Sequence, residues 1–187
     1  MSNYSSLISK ICSQCAPVML QMKPAATLTL TFSESKLLKE CLNDVDISFY
    51  PLTYKRNYVT WFIYKEKLLM KTLNKVDVRY ILEKLGYQTR ELKHCLDCLR
   101  ERFNNCYREK QEFPHELGLF LDYPTEDVIG FVMNKGKDCR YCGYWKVYSD
   151  VEEAKKTFYR YDLAKNTLLN EVYQGKTMGQ AVASLVS

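Results

Sequence analysis

A single apolar stripe in the middle of the chain constrains the fold more than any other sequence feature. Between residues 89 and 110, apolar side chains recur at intervals of three and four positions. This spacing predicts an α-helix with one face against a core. The stripe consists of Leu92, Cys95 or Leu96, Leu99, Phe103 and Cys106. Because 47% of the residues are hydrophobic and 13% are aromatic, the chain can bury such a core, which excludes a disordered tail.

Shorter segments around this helix predict further helices and a few strands. Helical patterns are found in Glu66–Leu73, Val76–Leu85, Thr167–Tyr173 and Met178–Val186. Helices are also expected from Ser5 or Ser6 to Pro17, from Ser33 or Ser35 to about Asn43, at Pro114, at Pro124 and after Asp150. Strand patterns are found in Ile47–Leu52 and Tyr58–Tyr64, which predict an antiparallel hairpin, and in Gly143–Tyr148. The segment Thr27–Phe32 fits either a strand or the approach to a helix.

This succession of elements indicates the fold class. Many helices with one or two small antiparallel pairs are typical of an α+β fold. At 187 residues, we predict a single, predominantly helical domain with a small antiparallel sheet. Its core is expected over about residues 5–165, with residues 166–187 as a C-terminal helical extension.

The apolar segments are short, which bears on the cellular compartment. The N-terminus lacks the basic and apolar regions of a signal peptide. No apolar stretch approaches the roughly 20 residues of a membrane span. We therefore expect a cytoplasmic protein, in which the eight cysteines are thiols or metal ligands rather than disulfides.

Positive charge is concentrated in the middle third of the chain. The net charge is +5 overall, whereas residues 51–110 carry 14 basic and seven acidic groups, net +7. Aromatic residues are interleaved with these bases, a pattern that can bind an acidic partner or the backbone and bases of RNA. The alternative is a solvated surface, which the mild pI of 8.7 favours. This basic patch consists of Lys55, Arg56, Lys65, Lys67, Lys71, Lys75 and Arg79.

Three cysteine pairs have the C-x-x-C spacing that a zinc site can use. The best of them is Cys139/Cys142, because it lies in a polar turn that is followed by a glycine. Cys95/Cys98 lies inside the predicted 89–110 helix, where core thiols are the better interpretation. Cys12/Cys15 also fits a core position, as do Cys41 and Cys106.

His115 is the more informative of the two histidines. It follows Pro114 at a predicted helix start, where the helix dipole disfavours a cationic imidazole. A neutral imidazole can accept a proton or bind a metal. The alternative is that His115 caps the helix or packs against the strand. The adjacent Glu126 and Asp127 are better explained by the helix dipole than by acid–base catalysis. Standard nucleotide-binding, hydrolase and metalloprotease signatures are absent, so whether the protein is an enzyme stays open.

Two longer motifs resemble a known family. They are residues 113–131, Phe-Pro-His-Glu-Leu-Gly-Leu-Phe-Leu-Asp-Tyr-Pro-Thr-Glu-Asp-Val-Ile-Gly-Phe, and residues 142–148, Cys-Gly-Tyr-Trp-Lys-Val-Tyr. Together with Cys15-Ala-Pro and Lys23-Pro-Ala, they resemble a bacterial domain-of-unknown-function family, three-seven-nine-three in that series, met mostly in anaerobic Gram-positive bacteria. The resemblance covers about residues 5–165. It implies no known activity, although a link to flavodoxin-like or iron-related proteins is implied by the genes found near family members.

The chain departs from the family pattern at several positions. Gln14 stands where the family often has histidine, and Gln21 and Asp122 stand where it usually has glycine. Cys139 does not belong to the pattern, which weakens a shared zinc site there. The remaining candidate pocket residues are Cys15, His115, Glu116, Cys142, Tyr144, Trp145, Lys146 and Tyr148.

Three functional hypotheses follow. In the first, Cys15, His115 and Cys142 converge as a thiol or metal site for zinc or iron, since soft sulfur and imidazole suit these metals. Glu116 would orient the imidazole, and Trp145 and Tyr148 would wall the pocket. In the second, the protein is a non-enzymatic binding module, the two motifs serve as core and turn residues, and the basic patch binds an acidic partner or nucleic acid. The structural alternative for Tyr144–Tyr148 is a central strand whose alternate aromatic residues pack on opposite faces. In the third, His115 or Lys146 is the base of a small-molecule enzyme.

Overall fold

The computed structural model describes residues 3–108 and 112–186, and it confirms the predicted α+β fold. The helices are α1 (Asn3–Met19), α2 (Phe32–Cys41), α3 (Glu66–Leu73), α4 (Val76–Lys84), α5 (Leu92–Arg108), α6 (Leu117–Phe120), α7 (Thr125–Met133), α8 (Val151–Tyr173) and α9 (Met178–Val186). The strands are β1 (Ala25–Thr31), β2 (Ser48–Lys55), β3 (Tyr58–Tyr64), β4 (Tyr141–Cys142) and β5 (Lys146–Val147). The last two residues of the predicted 89–110 helix lie outside the described residues.

The chain forms two compact units. The first unit contains Met1–Leu68 and Tyr161–Ser187, and the second contains Leu69–Arg160. Helix α8 therefore carries residues of both units. The C-terminal segment belongs to the same unit as the N-terminal one, and the division into a core over about residues 5–165 and an extension over residues 166–187 stays a prediction.

The first unit is built on a three-stranded antiparallel sheet with the order β1-β3-β2. The predicted hairpin is confirmed as β2 and β3, and the ambiguous Thr27–Phe32 segment is strand β1. Alternate residues of β1 face inward, so Leu28 and Leu30 are buried while Thr29 between them is exposed. Their partners in the core include Leu7, Ile11 and Met19 of α1.

Two helix ends in this unit differ from the prediction. Helix α2 begins at Phe32, just before the predicted starts Ser33 and Ser35, because Thr31 caps it: the Glu34 backbone N–H donates to Thr31 Oγ1, and the Thr31 N–H donates to the Glu34 carboxylate. Helix α1 continues through Pro17 to Met19. A proline removes only one helical hydrogen bond, and here the helix ends two residues later.

The C-terminal segment is not divided as predicted. The two separate helices expected after Asp150 and at Thr167–Tyr173 are one continuous helix, α8, because no glycine or proline interrupts the residues between them. Asp150 caps this helix as predicted, accepting a hydrogen bond from the Glu153 N–H at 3.0 Å. Leu168 and Met178 are buried in the core of the first unit.

The second unit contains the predicted helices α4, α5 and α7, but its strand prediction is wrong. Residues 143–148 do not form one strand; the chain turns back at Gly143, and β4 pairs with β5 as a two-residue antiparallel hairpin. The Gly143 N–H donates to the Trp145 carbonyl at 3.1 Å across this turn. Pro114 likewise begins a turn, closed by the Leu117 N–H donating to the Pro114 carbonyl, before the short helix α6. Among the described residues, no helix combines the length and apolarity needed to cross a membrane.

Candidate functional site

A cavity of about 560 Å³ lies in the second unit, and both family-like motifs line it. Most of its walls are apolar or aromatic side chains. Residues 113–131 contribute Phe113, His115, Leu117, Gly118, Leu121, Tyr123, Asp127, Val128 and Phe131. Residues 142–148 contribute Cys142, Gly143, Tyr144, Trp145 and Lys146. Two segments that are separated in the sequence thus form one binding-sized concavity.

Asp127 holds the two motifs together. This residue lies in the first turn of α7 and is only 2% exposed. One carboxylate oxygen accepts the Trp145 indole N–H at 2.7 Å. The other accepts the backbone N–H of Tyr148, the backbone N–H of Ser149 and the Ser149 hydroxyl, each at 2.8 Å. Four donors therefore fix the chain after the β4–β5 hairpin onto the start of α7.

Aromatic packing fixes Trp145 in the cavity wall. Its indole stacks on Tyr123 with the ring centroids 4.9 Å apart, and it meets the Phe158 ring edge-on at 4.5 Å. Phe158, on α8, can approach this closely because Gly143 has no side chain: a Cβ there would lie 2.2 Å from a Phe158 ring carbon. Burial raises the pKa of Tyr123 to about 12, so its hydroxyl stays neutral and donates to the Tyr144 carbonyl at 3.3 Å.

His115 and Lys146 both contact the same ring, that of Phe131. The imidazole centroid of His115 lies 5.0 Å from the Phe131 centroid and 5.8 Å from the Phe113 centroid. The ammonium of Lys146 lies 5.8 Å from the Phe131 centroid and donates to the Gly136 carbonyl. Phe131 therefore positions two nitrogen-bearing side chains at one cavity.

Glu116 is engaged away from the cavity. It is 6% exposed, and its carboxylate accepts the Tyr87 hydroxyl at 2.9 Å and the Arg102 guanidinium N–H. Burial, together with the Glu116 charge, raises the pKa of the Tyr87 hydroxyl. The predicted role of Glu116 in orienting His115 is not supported by these contacts, which instead join the segment before α6 to α5.

The predicted pocket residues are thus partly brought together. His115, Cys142, Tyr144, Trp145 and Lys146 line the cavity. Tyr148 is not among the lining residues. Its hydroxyl donates to the Lys137 carbonyl, and its Cβ lies close to Gly130, where an added Cβ would be 2.7 Å away. The alternative in which Tyr144–Tyr148 forms a central strand is wrong, because only Lys146 and Val147 of this segment are in a strand, as one side of a two-residue hairpin.

The family assignment rests on a comparison with known families. A model of the family described as Protein of unknown function (DUF3793) matches residues 11–182. The chain belongs to this family. No curated protein and no solved structure matches the chain significantly. The cavity of this DUF3793 chain lies within the matched range, as do both motifs on which the resemblance was based.

The cysteines of the DUF3793 chain have contrasting environments. Cys12 and Cys15 lie in the core of the first unit, and burial raises the pKa of each thiol to about 12. Burial has the same effect on Cys95, whose pKa is about 12. The core-thiol interpretation of these residues is therefore confirmed, whereas Cys142 is exposed and lines the cavity of the second unit.

No metal centre is evident in the described parts of the chain. Among residues 3–108 and 112–186, no group of three or more histidine, cysteine, aspartate and glutamate side chains could hold a metal ion. The set of Cys15, His115 and Cys142 therefore gains no support as a zinc or iron site, and neither does Cys139.

The basic patch is divided between the units. Lys55, Arg56, Lys65 and Lys67 belong to the first unit, and Lys71, Lys75 and Arg79 belong to the second. Several of these residues pair with carboxylates, among them Lys65 with Asp46 at 3.5 Å, Lys75 with Asp122 at 2.5 Å and Arg79 with Glu83 at 3.9 Å. These ion pairs reduce the charge available to a polyanion, so binding of an acidic partner or RNA stays a prediction.

Sequence reasoning missed three residues that build the site. Asp127 was assigned to the helix dipole, although its carboxylate is buried and fully hydrogen-bonded. Phe131 and Tyr123 were not singled out, although both lie in the motif that carries the family resemblance. Their signal was the motif itself, because most of the residues of 113–131 that line the cavity are aromatic or apolar.

Proposed function

We propose that the second unit binds a small, flat organic molecule in the cavity lined by the two motifs. The observation that carries this proposal is the lining itself: Phe113, Tyr123, Phe131, Tyr144 and Trp145 surround about 560 Å³. Ligand sites usually enclose about 300–1,000 Å³, with apolar walls and a few convergent polar groups. His115, Cys142 and Lys146 supply those polar groups here.

A neutral aromatic fluorophore, N-phenyl-1-naphthylamine, tests this proposal. Its emission rises in an apolar site, and Trp145 in the cavity wall provides an energy-transfer donor. We expect saturable binding to the native protein and loss of binding in Val128→Phe, whose larger side chain fills the cavity. Val132→Phe is the matched control, because Val132 lies on the same helix, is 50% exposed and does not line the cavity. If Val128→Phe binds the probe as tightly as Val132→Phe does, the proposal is refuted.

A thiol-linked role is a second candidate, favoured by one specific observation. The exposed Cys142 thiol lines the same cavity as the His115 imidazole. A ligand that reacts reversibly with a thiol would then be held at Cys142. Metal analysis of anaerobically purified protein distinguishes a reactive thiol from a zinc or iron site. About one equivalent of metal that is lost in Cys142→Ser would support the metal site, whereas no metal in the native protein would rule it out.

A further inference from the structure

The two charged side chains that line the cavity, Asp127 and Lys146, differ in how fully they are already hydrogen-bonded. Among the lining residues, only Asp127 and Lys146 carry a permanent charge at neutral pH. The Asp127 carboxylate is 2% exposed and already accepts four hydrogen bonds, from Trp145, Tyr148 and Ser149. A carboxylate saturated in this way has little capacity left for a ligand.

Lys146 is in the opposite condition. Its ammonium has two recorded partners, the Gly136 carbonyl and the face of the Phe131 ring. Within residues 3–108 and 112–186, no carboxylate lies at ion-pair distance from it. An ammonium has three donors, so after the Gly136 bond it can still donate to a ligand.

The neighbouring groups strengthen this asymmetry. His115 contacts the same Phe131 ring and offers a second N–H donor at the cavity. Apart from the hydrogen-bonded Asp127 and the Cys142 thiol, the rest of the lining is apolar or aromatic, so a ligand's charge would be taken from water into a site of low polarity. There, pairing with an ammonium is worth more than it is on the surface.

We propose that the cavity selects aromatic monoanions, such as an aryl carboxylate or sulfonate, and that Lys146 is the residue that binds their anionic group. This inference rests on the proposed function, because it names the ligand class of the same cavity. The aromatic body packs between the rings of the wall, and the anion receives hydrogen bonds from Lys146. Neutral aromatics of the same shape bind without this contact and therefore more weakly.

Two fluorophores with the same aromatic body separate the inference from the proposed function. N-phenyl-1-naphthylamine is neutral, and 1-anilinonaphthalene-8-sulfonate carries one added sulfonate. We expect the native protein to bind the sulfonate about tenfold more tightly, equivalent to about 1.4 kcal/mol. Lys146→Met is expected to abolish this preference, so that its affinities for the two probes agree within about twofold.

Three further variants complete the test. Lys146→Gln removes the charge but keeps a donor for the Gly136 carbonyl, so it guards against a folding defect in Lys146→Met. Lys146→Arg keeps the charge and should retain the preference for the anion. Lys137→Met is the matched control, because Lys137 lies in the preceding loop, is exposed and does not line the cavity.

The outcomes are distinct. If both probes bind in a manner sensitive to Val128→Phe but with the same affinity ratio in native protein and Lys146→Gln, the anion inference is wrong and the proposed function stands. If the native protein binds neither probe in that manner, the proposed function fails and the inference fails with it.

Discussion

At the scale of single residues, the cysteines should differ sharply in reactivity. The thiolate is the nucleophile, and burial raises the pKa of Cys12, Cys15 and Cys95 to about 12. Almost none of these thiols is ionised at pH 8, whereas Cys142 is exposed. We expect brief iodoacetamide treatment to alkylate Cys142 at least tenfold faster than these three thiols, as measured by peptide mass spectrometry. Equal labelling of all four thiols in the folded protein would contradict this prediction. Equal labelling that occurs only after unfolding in urea would not.

Backbone conformation at Gln21 leads to a second prediction. Gln21 has φ of 60° and is exposed just after α1, in the left-handed region that favours glycine. The left-handed conformation costs an L-residue about 1–2 kcal/mol, part of which is offset by the greater freedom of glycine in the unfolded chain. We expect Gln21→Gly to raise the free energy of unfolding by about 0.5 kcal/mol in urea titrations.

Asp122 provides the matched comparison. It has the same φ of 60°, but its carboxylate pairs with Lys75 at 2.5 Å and accepts the Thr72 hydroxyl at 3.4 Å. Asp122→Gly relieves the same backbone strain but loses these two contacts. We therefore expect a smaller increase in the free energy of unfolding than in Gln21→Gly. A loss of stability in Gln21→Gly would mean that the left-handed conformation is not strained there.

At the scale of elements, the hydrogen bonds of the Asp127 carboxylate should stabilise the contact between α7 and the segment after β5. Asp127→Asn removes the charge and places an amide where several donors converge. We expect a loss of about 2–4 kcal/mol in the free energy of unfolding, because hydrogen bonds to charged groups are worth about 1.5–3 kcal/mol each and are only partly retained. Chemical denaturation followed by circular dichroism measures this loss.

Glu126→Gln distinguishes the effect of the Asp127 hydrogen bonds on stability from that of a charge near the helix dipole. Glu126 occupies the same first turn of α7 and is exposed. A dipole effect would cost both variants a similar amount, about 0.3–1 kcal/mol. A loss of unfolding free energy several times larger in Asp127→Asn than in Glu126→Gln supports the hydrogen-bond effect. Equal losses would argue for the helix dipole alone.

The turn between β4 and β5 depends on close packing against α8. Gly143→Ala would place a Cβ 2.2 Å from a Phe158 ring carbon, so the ring or the turn must shift. Overpacking of this kind costs about 1–3 kcal/mol, and a lowered melting temperature would report it. The double variant Gly143→Ala/Phe158→Leu has more room and should recover part of the loss; no recovery would place the strain elsewhere.

The sequence predicted elements well wherever local periodicity determines them. The β2–β3 hairpin, α4 and α9 were all anticipated within a few residues, because each has a regular apolar pattern and clear ends. Gly143–Tyr148 was not, because its strand-like composition is overridden by hydrogen bonds from Trp145 and Tyr148 to Asp127, which lies 18 and 21 positions earlier in the chain. For the site, the family-like motifs identified five cavity residues, but no local pattern indicates that the Glu116 carboxylate contacts α5.

At the scale of the whole molecule, the notable feature is that the first unit is assembled from both ends of the chain. Met178 is 4% exposed and belongs to the same buried cluster as Leu7 and Leu28. A C-terminal segment that is part of this core must unfold together with α1 and β1. An independent helical extension would unfold by itself.

Met178→Ala distinguishes these two cases. Truncating a buried methionine costs about 2–5 kcal/mol, whereas Met22→Ala should cost under about 0.5 kcal/mol because Met22 is 45% exposed in the same unit. Because the core is shared, we expect Met178→Ala to accelerate amide hydrogen exchange in α1 and β1 as well as in α9. Faster exchange confined to α9 would mean that residues 166–187 are an extension whose stability is separate from that of the sheet.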